Sequence, residues 1–163
     1  MIGRGNMKKN IAIISFIALI IDQIIKFICI HYLKDNLIII PGFLSLTYAE
    51  NSGVAFSLLS GNKILIILIS LILIFLLLYY IYNDYIKLNK KSKYKEILYG
   101  LLLGGILGNL IDRIIHGVVI DYVSLNIFGY RFPIFNLADT FITITVILIF
   151  INYILENKNE HQL

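Results

Sequence analysis

Asp121 and Asp139 are the acids of the stretch VIDYVSLNIFGYRFPIFNLADT, Val119 to Thr140, whose other residues are mostly apolar. Two carboxyls that share a site cannot both ionise readily, so one pKa rises and the pair holds a single proton. The ionised member can take a proton from water while the protonated one donates to a carbonyl oxygen. That is acid–base hydrolysis of an amide without metal, cofactor or covalent intermediate. Taken alone, the pair is compatible with a peptidase, a small proton-coupled membrane transporter or a purely structural role. Other hydrolytic motifs are missing: the sequence has no H-E-x-x-H and no G-x-S-x-G. Its one cysteine, Cys29, lies in an apolar run, cannot form an internal disulfide and belongs to no zinc-spaced Cys/His set. It reads as a small packing residue, and no metal or cofactor is expected.

The elements that must position these acids are greasy. Hydrophobic residues make up 59% of the 163, and the mean hydropathy is +0.86, well above the roughly 45–50% apolar share of a soluble domain. Runs such as ILIILISLILIFLLLYYIY, Ile64 to Tyr82, exceed the ~18 residues that mark a membrane-spanning helix. An α-helical integral membrane protein is predicted, a single domain over 1–163 with spans at about 10–32, 62–82, 97–116 and 134–155. The basic N-terminus MIGRGNMKKN resembles a secretory leader, but no small-residue cleavage site follows, so an uncleaved first span is expected. Met7, just before Lys8 and Lys9, would also make a plausible start.

The net charge is +4, with lysines at the ends of apolar runs rather than on a basic face interleaved with aromatics, so no nucleic-acid partner is expected. Nine of the fourteen basic residues, Arg4, Lys8, Lys9, Lys87, Lys90, Lys91, Lys93, Lys95 and Lys158, fall in the leader, the segment between spans two and three, and the tail. The positive-inside rule puts these segments and both termini in the cytoplasm, with residues 33–61 and 117–133 outside. LIIIPGFLSLTYAENSGVAFSLLSG alternates around FLSLTYA and carries turn residues at Pro41-Gly42 and Asn51-Ser52-Gly53. That pattern predicts a small extracytoplasmic sheet over about 36–61, between helices one and two, resting on the membrane surface.

Ionisable residues inside a span are costly and mark function by default. Asp22 and Lys26, four apart in span one, share a helix face and can pair. A structural ion pair and a substrate contact are both open to them. In span three, Gly100, Gly104 and Gly108 recur every four residues, the small-residue pattern of close helix packing. Asn109, Asp112, Arg113 and His116 follow as one polar stripe. There the Arg113 cation is expected to hold Asp112 ionised as scaffold, and His116 to cap the helix end or meet solvent. In span four Asn136 and Asp139 share a face, with Asp139 four or five residues into the helix. Asp121 lies just past span three, at the same depth, and the separation of eighteen positions allows the chain to fold back.

DQIIK, NSGVAFS, GGILGNLIDR, VIDYV and FNLAD occur in that order. Together they resemble the motifs of bacterial lipoprotein signal peptidase, the signal peptidase II family. The resemblance covers the whole chain and rests on five ordered motifs. It implies a four-span aspartic endopeptidase of the bacterial cytoplasmic membrane, active at the extracytoplasmic face. Its substrates would be diacylglyceryl-modified prolipoproteins, cut before the lipidated cysteine. By motif, the catalytic pair corresponds to Asp121 and Asp139. Asn51 and Gly53 correspond to a substrate-facing loop, Asn109, Asp112 and Arg113 to the polar stripe, Asn136 and Ala138 to the flanks of the second aspartate, and Asp22 and Lys26 to the pair in span one. The outer sheet would be the substrate cradle, with Asn51 and Asn136 orienting substrate carbonyls and Arg113 holding the loop or a headgroup. Tyr122 stands where phenylalanine is common. A monomer in contact with membrane lipid is expected. Against this stand the transporter, disfavoured because no inverted repeat is evident, and an assembly factor whose polar residues only glue helices.

Overall fold

The computed structural model of the chain describes residues 2–53, 62–87 and 92–160. Val54 to Ser57 of the NSGVAFS motif, the rest of the expected outer segment to residue 61, and Lys90 and Lys91 lie outside them. Among the described residues, four helices are long and apolar enough to cross a membrane: α1 (Ile2–Tyr32), α2 (Lys63–Lys87), α3 (Lys93–Ile115) and α4 (Leu137–Glu160). Strands β1 (Leu37–Ile40) and β2 (Leu44–Asn51) follow α1, and β3 (Val119–Ile127) and β4 (Tyr130–Arg131) follow α3. They form one antiparallel sheet in the order β1-β2-β3-β4. The sheet therefore draws half its strands from the segment between α3 and α4, not only from the one between α1 and α2.

α3 is the central helix, with 56% of its apolar window buried against 6% for α2 and 11% for α4. Its glycines let α1 approach closely. A Cβ on Gly100 would meet Ile14 at 2.6 Å, one on Gly104 would meet Ala18 and Ser15 at 2.7 Å, and one on Gly108 would meet Asp22 Oδ2 at 2.5 Å. The stripe is a packing surface, running in step along two parallel helices. Gly105, not part of that stripe, does the same for α4, where an added Cβ would lie 2.8 Å from the Ala138 carbonyl oxygen.

Several boundaries differ from the sequence prediction. α1 is already helical through the basic leader, and α3 starts at Lys93 rather than 97, with Ser92 as its N-cap. α4 starts at Leu137 rather than 134, so Asp139 stands in the first turn and not a full turn below it. Residues 134–136 lie outside the helix because Phe135 is held in a bridge with Val123 of β3.

Candidate functional site

The sheet end of the bundle holds a polar cluster, and its placement begins with β3. Backbone bonds from Tyr122 N–H and Val123 N–H to the Phe135 carbonyl, at 3.1 and 2.8 Å, and from Phe135 N–H back to Val123 at 3.1 Å pin the chain before α4 to the strand carrying Asp121. Asn136 follows at once. Its Oδ1 accepts the Asp139 N–H at 2.8 Å, Asp139 Oδ2 accepts the Asn136 N–H at 3.4 Å, and its carbonyl accepts the Thr140 N–H at 3.2 Å. These reciprocal bonds form a capping box that starts the helix at residue 137. The other free N–H groups of the first turn are also met: Leu137 donates to Tyr122 Oη at 3.1 Å and Ala138 to Asp22 Oδ1 at 3.0 Å. The hydroxyl that distinguishes Tyr122 from phenylalanine thus caps α4.

Asn136 joins the two acids. Its Nδ2 donates to Asp121 Oδ1 at 2.7 Å, while its backbone meets Asp139. Asn109 Nδ2 donates to Asp139 Oδ1 at 2.7 Å, and Asn51 Nδ2 to Asp121 Oδ2 at 3.0 Å. Asn51 faces Val119 across the β2–β3 ladder, two positions from Asp121, which is why its amide reaches that carboxyl. Burial pushes Asp121 up to about 6. The bonds from Asn51 and Asn136 oppose the rise, and the charge of Asp139 adds to it.

Behind the acids lies a buried ionic core. Lys26 Nζ contacts Asp22 Oδ2 and Asp112 Oδ2, both at 2.8 Å, and Asn109 Oδ1 at 2.9 Å. Gln23 Nε2 donates to Asp112 Oδ1 at 2.8 Å, and Asp112 Oδ2 accepts the Ile120 N–H at 3.2 Å. The direct ionic partner of Asp112 is Lys26; Arg113, the cation the sequence sets beside it, acts on it only at longer range, because adjacent helix residues point in different directions. Arg113 turns outward, donating to the carbonyls of Asn109 and Gly53, both at 3.1 Å. Gly53 N–H in turn donates to Asn51 Oδ1 at 3.0 Å. Arg113 thus holds the loop, one of the two roles expected of it.

Every site residue named from the sequence falls in or beside this cluster. Asn136 and Ala138 are fully enclosed (0% exposed), and the Asn136 amide is engaged by its bonds with the acids. His116 is exposed and is the C-cap of α3. Among the described residues, the one buried side-chain N or O atom without a partner is Asn126 Oδ1, away from the cluster. No three His, Cys, Asp or Glu side chains among the described residues form a metal-ligand group; the donor set is two carboxyls with amides and cations.

The cluster opens on a groove of about 1040 Å³ between α2 and α4, with α3 at its base. Asn51, Asn109, Arg113 and Asp139 line its polar end, and Tyr80 and Tyr153 lie among the apolar residues that line the rest. Sequence reasoning missed β3 and this groove. VIDYVSLNI is rich in β-branched residues and would have read as a strand, whereas the groove depends on helix packing.

A family model described as signal peptidase (SPase) II matches residues 14–155. The chain is 38% identical over 152 residues to the lipoprotein signal peptidase of Staphylococcus aureus strain bovine RF122 / ET3-1, covering 92% of this chain and 91% of that one. The lipoprotein signal peptidase of Staphylococcus aureus strain JH9 matches with the same identity and coverage. Among solved structures, a bacterial membrane enzyme determined by the in meso method at 2.3 Å resolution matches with a TM-score of 0.80 and 38% identity, over 90% of this chain and 88% of that chain. A second, at 1.9 Å resolution, matches with a TM-score of 0.74 and 39% identity, over 86% and 90%.

Proposed function

We propose a mechanism and a substrate geometry for this chain, which belongs to the signal peptidase II family and is therefore a multi-pass bacterial membrane peptidase of lipoprotein processing. In this reading Asp121 and Asp139 are an aspartic dyad that hydrolyses the peptide bond before the diacylglyceryl cysteine of a prolipoprotein. The observation that carries it is the convergence of both carboxyls on Asn136, with Asp139 lining the polar end of an apolar groove. Asp121, raised to about 6 by burial, is the member suited to hold the shared proton. It donates to the scissile carbonyl oxygen while Asp139 takes a proton from the attacking water. The tetrahedral intermediate then collapses as a proton passes to the departing amine. Asn51 and Asn109 orient the carboxyls, and Arg113 steadies the Gly53 loop beside them.

The groove suits the other half of the substrate. Along α4 it extends from Asp139 to Tyr153, fourteen positions or about 21 Å of helix. That length takes an apolar helical segment of the size of a signal-peptide core, about 7–15 residues, and leaves its end at the acids. The termini face the cytoplasm and the sheet faces outward, by the lysine distribution. Exposed Ile38, Ile39, Phe43 and Phe128 give the sheet an apolar rim suited to the lipid surface where a diacylglyceryl group is anchored. The four helices and sheet act here as one catalytic unit. Membership of a peptidase family sets aside the transporter and assembly-factor readings.

The test uses purified protein in detergent with a diacylglyceryl prolipoprotein, read as appearance of the shorter product. Asp121→Asn and Asp139→Asn should each lower the rate by about 10²–10⁴-fold, the usual worth of a general acid or base, with melting temperature retained. Cleavage within tenfold of the parent by either folded variant would remove the dyad.

A further inference from the structure

We infer that Lys26 is a positioning residue for the reaction: it fixes the amide of Asn109 so that its N–H faces the Asp139 carboxyl. The inference rests on the reading of Asp121 and Asp139 as the catalytic pair.

An ammonium carries three N–H donors and no acceptor. Lys26 has three oxygen partners, Asp22 Oδ2, Asp112 Oδ2 and Asn109 Oδ1, and is 2% exposed. Whatever atom of Asn109 faces it must accept, so the amide oxygen points to Lys26 and the nitrogen points away. That nitrogen donates to Asp139 Oδ1 at 2.7 Å. A turn of the amide by 180° would set its NH₂ against the ammonium and its oxygen against a carboxyl, which is unfavourable at both ends.

The neighbouring Asn136 amide fits this orientation. Asn109 Oδ1 also accepts from Asn136 Nδ2 at 3.2 Å, and the same nitrogen donates to Asp121 Oδ1 at 2.7 Å. Asn136 Oδ1 is taken by the Asp139 N–H at 2.8 Å. Asn136 is set from its own side, because its Nδ2 also donates to the Ile120 carbonyl at 3.3 Å; the amide whose two-fold ambiguity a donor-only cation removes is Asn109. Lys26 touches neither acid. Beyond the field of its charge at Asp121, it acts through the Asn109 amide.

A purely structural Lys26 would only neutralise Asp22 and Asp112, and a charge-conserving replacement would then serve as well. Lys26→Met combined with Asp22→Asn removes one cation and one anion, and the amide oxygen introduced by D22N can still take the Ala138 N–H. Steady-state cleavage of a diacylglyceryl prolipoprotein, melting temperature and the parallel Asp121→Asn variant decide the matter. We expect a folded double variant with KM within about threefold of the parent and kcat lower by about 10²–10³-fold, as for loss of one preorganised donor. Lys26→Met with Asp112→Asn makes the same change from the other side and is read in the same way. A folded double variant with kcat within threefold of the parent, while Asp121→Asn is inactive, overturns the inference alone. Failure of both double variants to fold overturns it in favour of a structural Lys26. An active Asp121→Asn overturns the dyad, and the inference with it.

Discussion

The two ends of the bundle both bury charge, and they do so under different rules. At the sheet end Asp22, Lys26 and Asp112 are almost wholly enclosed, with ionic contacts of 2.8 Å. Their amide neighbours aim at two further carboxyls. At the opposite end Lys95 bridges Asp84 of α2 at 3.3 Å and Glu156 of α4 at 3.1 Å, Tyr99 Oη donates to Asp84 at 2.6 Å, and Asn10 Nδ2 of α1 donates to Glu96 at 2.8 Å. That second cluster ties each outer helix to α3. The Glu156 side chain is half in solvent. One end is therefore built to hold atoms at set angles, and the other to hold helices together. Buried charge in a membrane protein is not one phenomenon, and only the aim of the hydrogen bonds separates its uses.

The largest expected effect that sharpens this contrast is at Asn136. Asn136→Ala removes the N-cap of α4, worth about 0.5–2 kcal/mol, and leaves Asp121 Oδ1 without its 2.7 Å donor. We expect kcat to fall by about 10²–10³-fold, together with a lower melting temperature. Equal loss of melting temperature with unaltered kcat would make the sheet end another structural tie and erase the distinction.

Much of this was legible in the chain itself. Runs like Ile64 to Tyr82 admit hardly any reading but a span, and the Gly100, Gly104, Gly108 spacing marks a packing face that α1 does occupy. Asp22 and Lys26 are readable as a pair because they are local, four apart on one helix. Lys26 with Asp112 is not, since it joins two helices whose rotation no single-helix pattern specifies. For the same reason the sequence pairs Asp112 with its neighbour Arg113. It also sets the start of α4 too early, because PIF before Asn136 is apolar enough to extend the span. Asn136, with an acid three residues on, carries the N-cap pattern that sets the start at 137. Lys95 and Glu96 read as loop residues in the sequence; their burial depends on partners on α1, α2 and α4, which lie 11 to 86 positions away in the chain.

A smaller effect follows from Asp121. Its folded-state value, about 6, lies above the ordinary 3.8. The folded protein therefore binds more protons than the unfolded chain between about pH 4 and 6. Stability from this group is fully present below the unfolded value and is lost as pH rises through the folded one, by about 2–3 kcal/mol at about 1.4 kcal/mol per unit. Asp121→Asn carries no such cost. The gap between its melting temperature in detergent and the parent's should move in the variant's favour between about pH 4.5 and 7.5, on top of a pH-independent cost of setting its amide NH₂ against the Asn51 or Asn136 donor. A gap that is constant, or that moves in the variant's favour with acid, would mean that the sheet end bears no electrostatic cost and is, in that respect, like the other end.

The smallest effect is predicted at the far end. Glu156→Gln removes one arm of the Lys95 bridge, but its side chain is 51% exposed, and ion pairs in water are worth about 0–1 kcal/mol. Lys95 keeps Asp84 in reach, so no buried cation is stranded. The melting temperature should move by no more than a few degrees, and kcat and KM should stay within twofold of the parent. A tenfold fall in kcat at unchanged melting temperature would show that α2 and α4 transmit the state of this bridge along the groove to the acids, about 25 Å away at about 1.5 Å per residue from Glu156 to Asp139. The far end would then belong to the catalytic apparatus, and the division between aiming and fastening would fail.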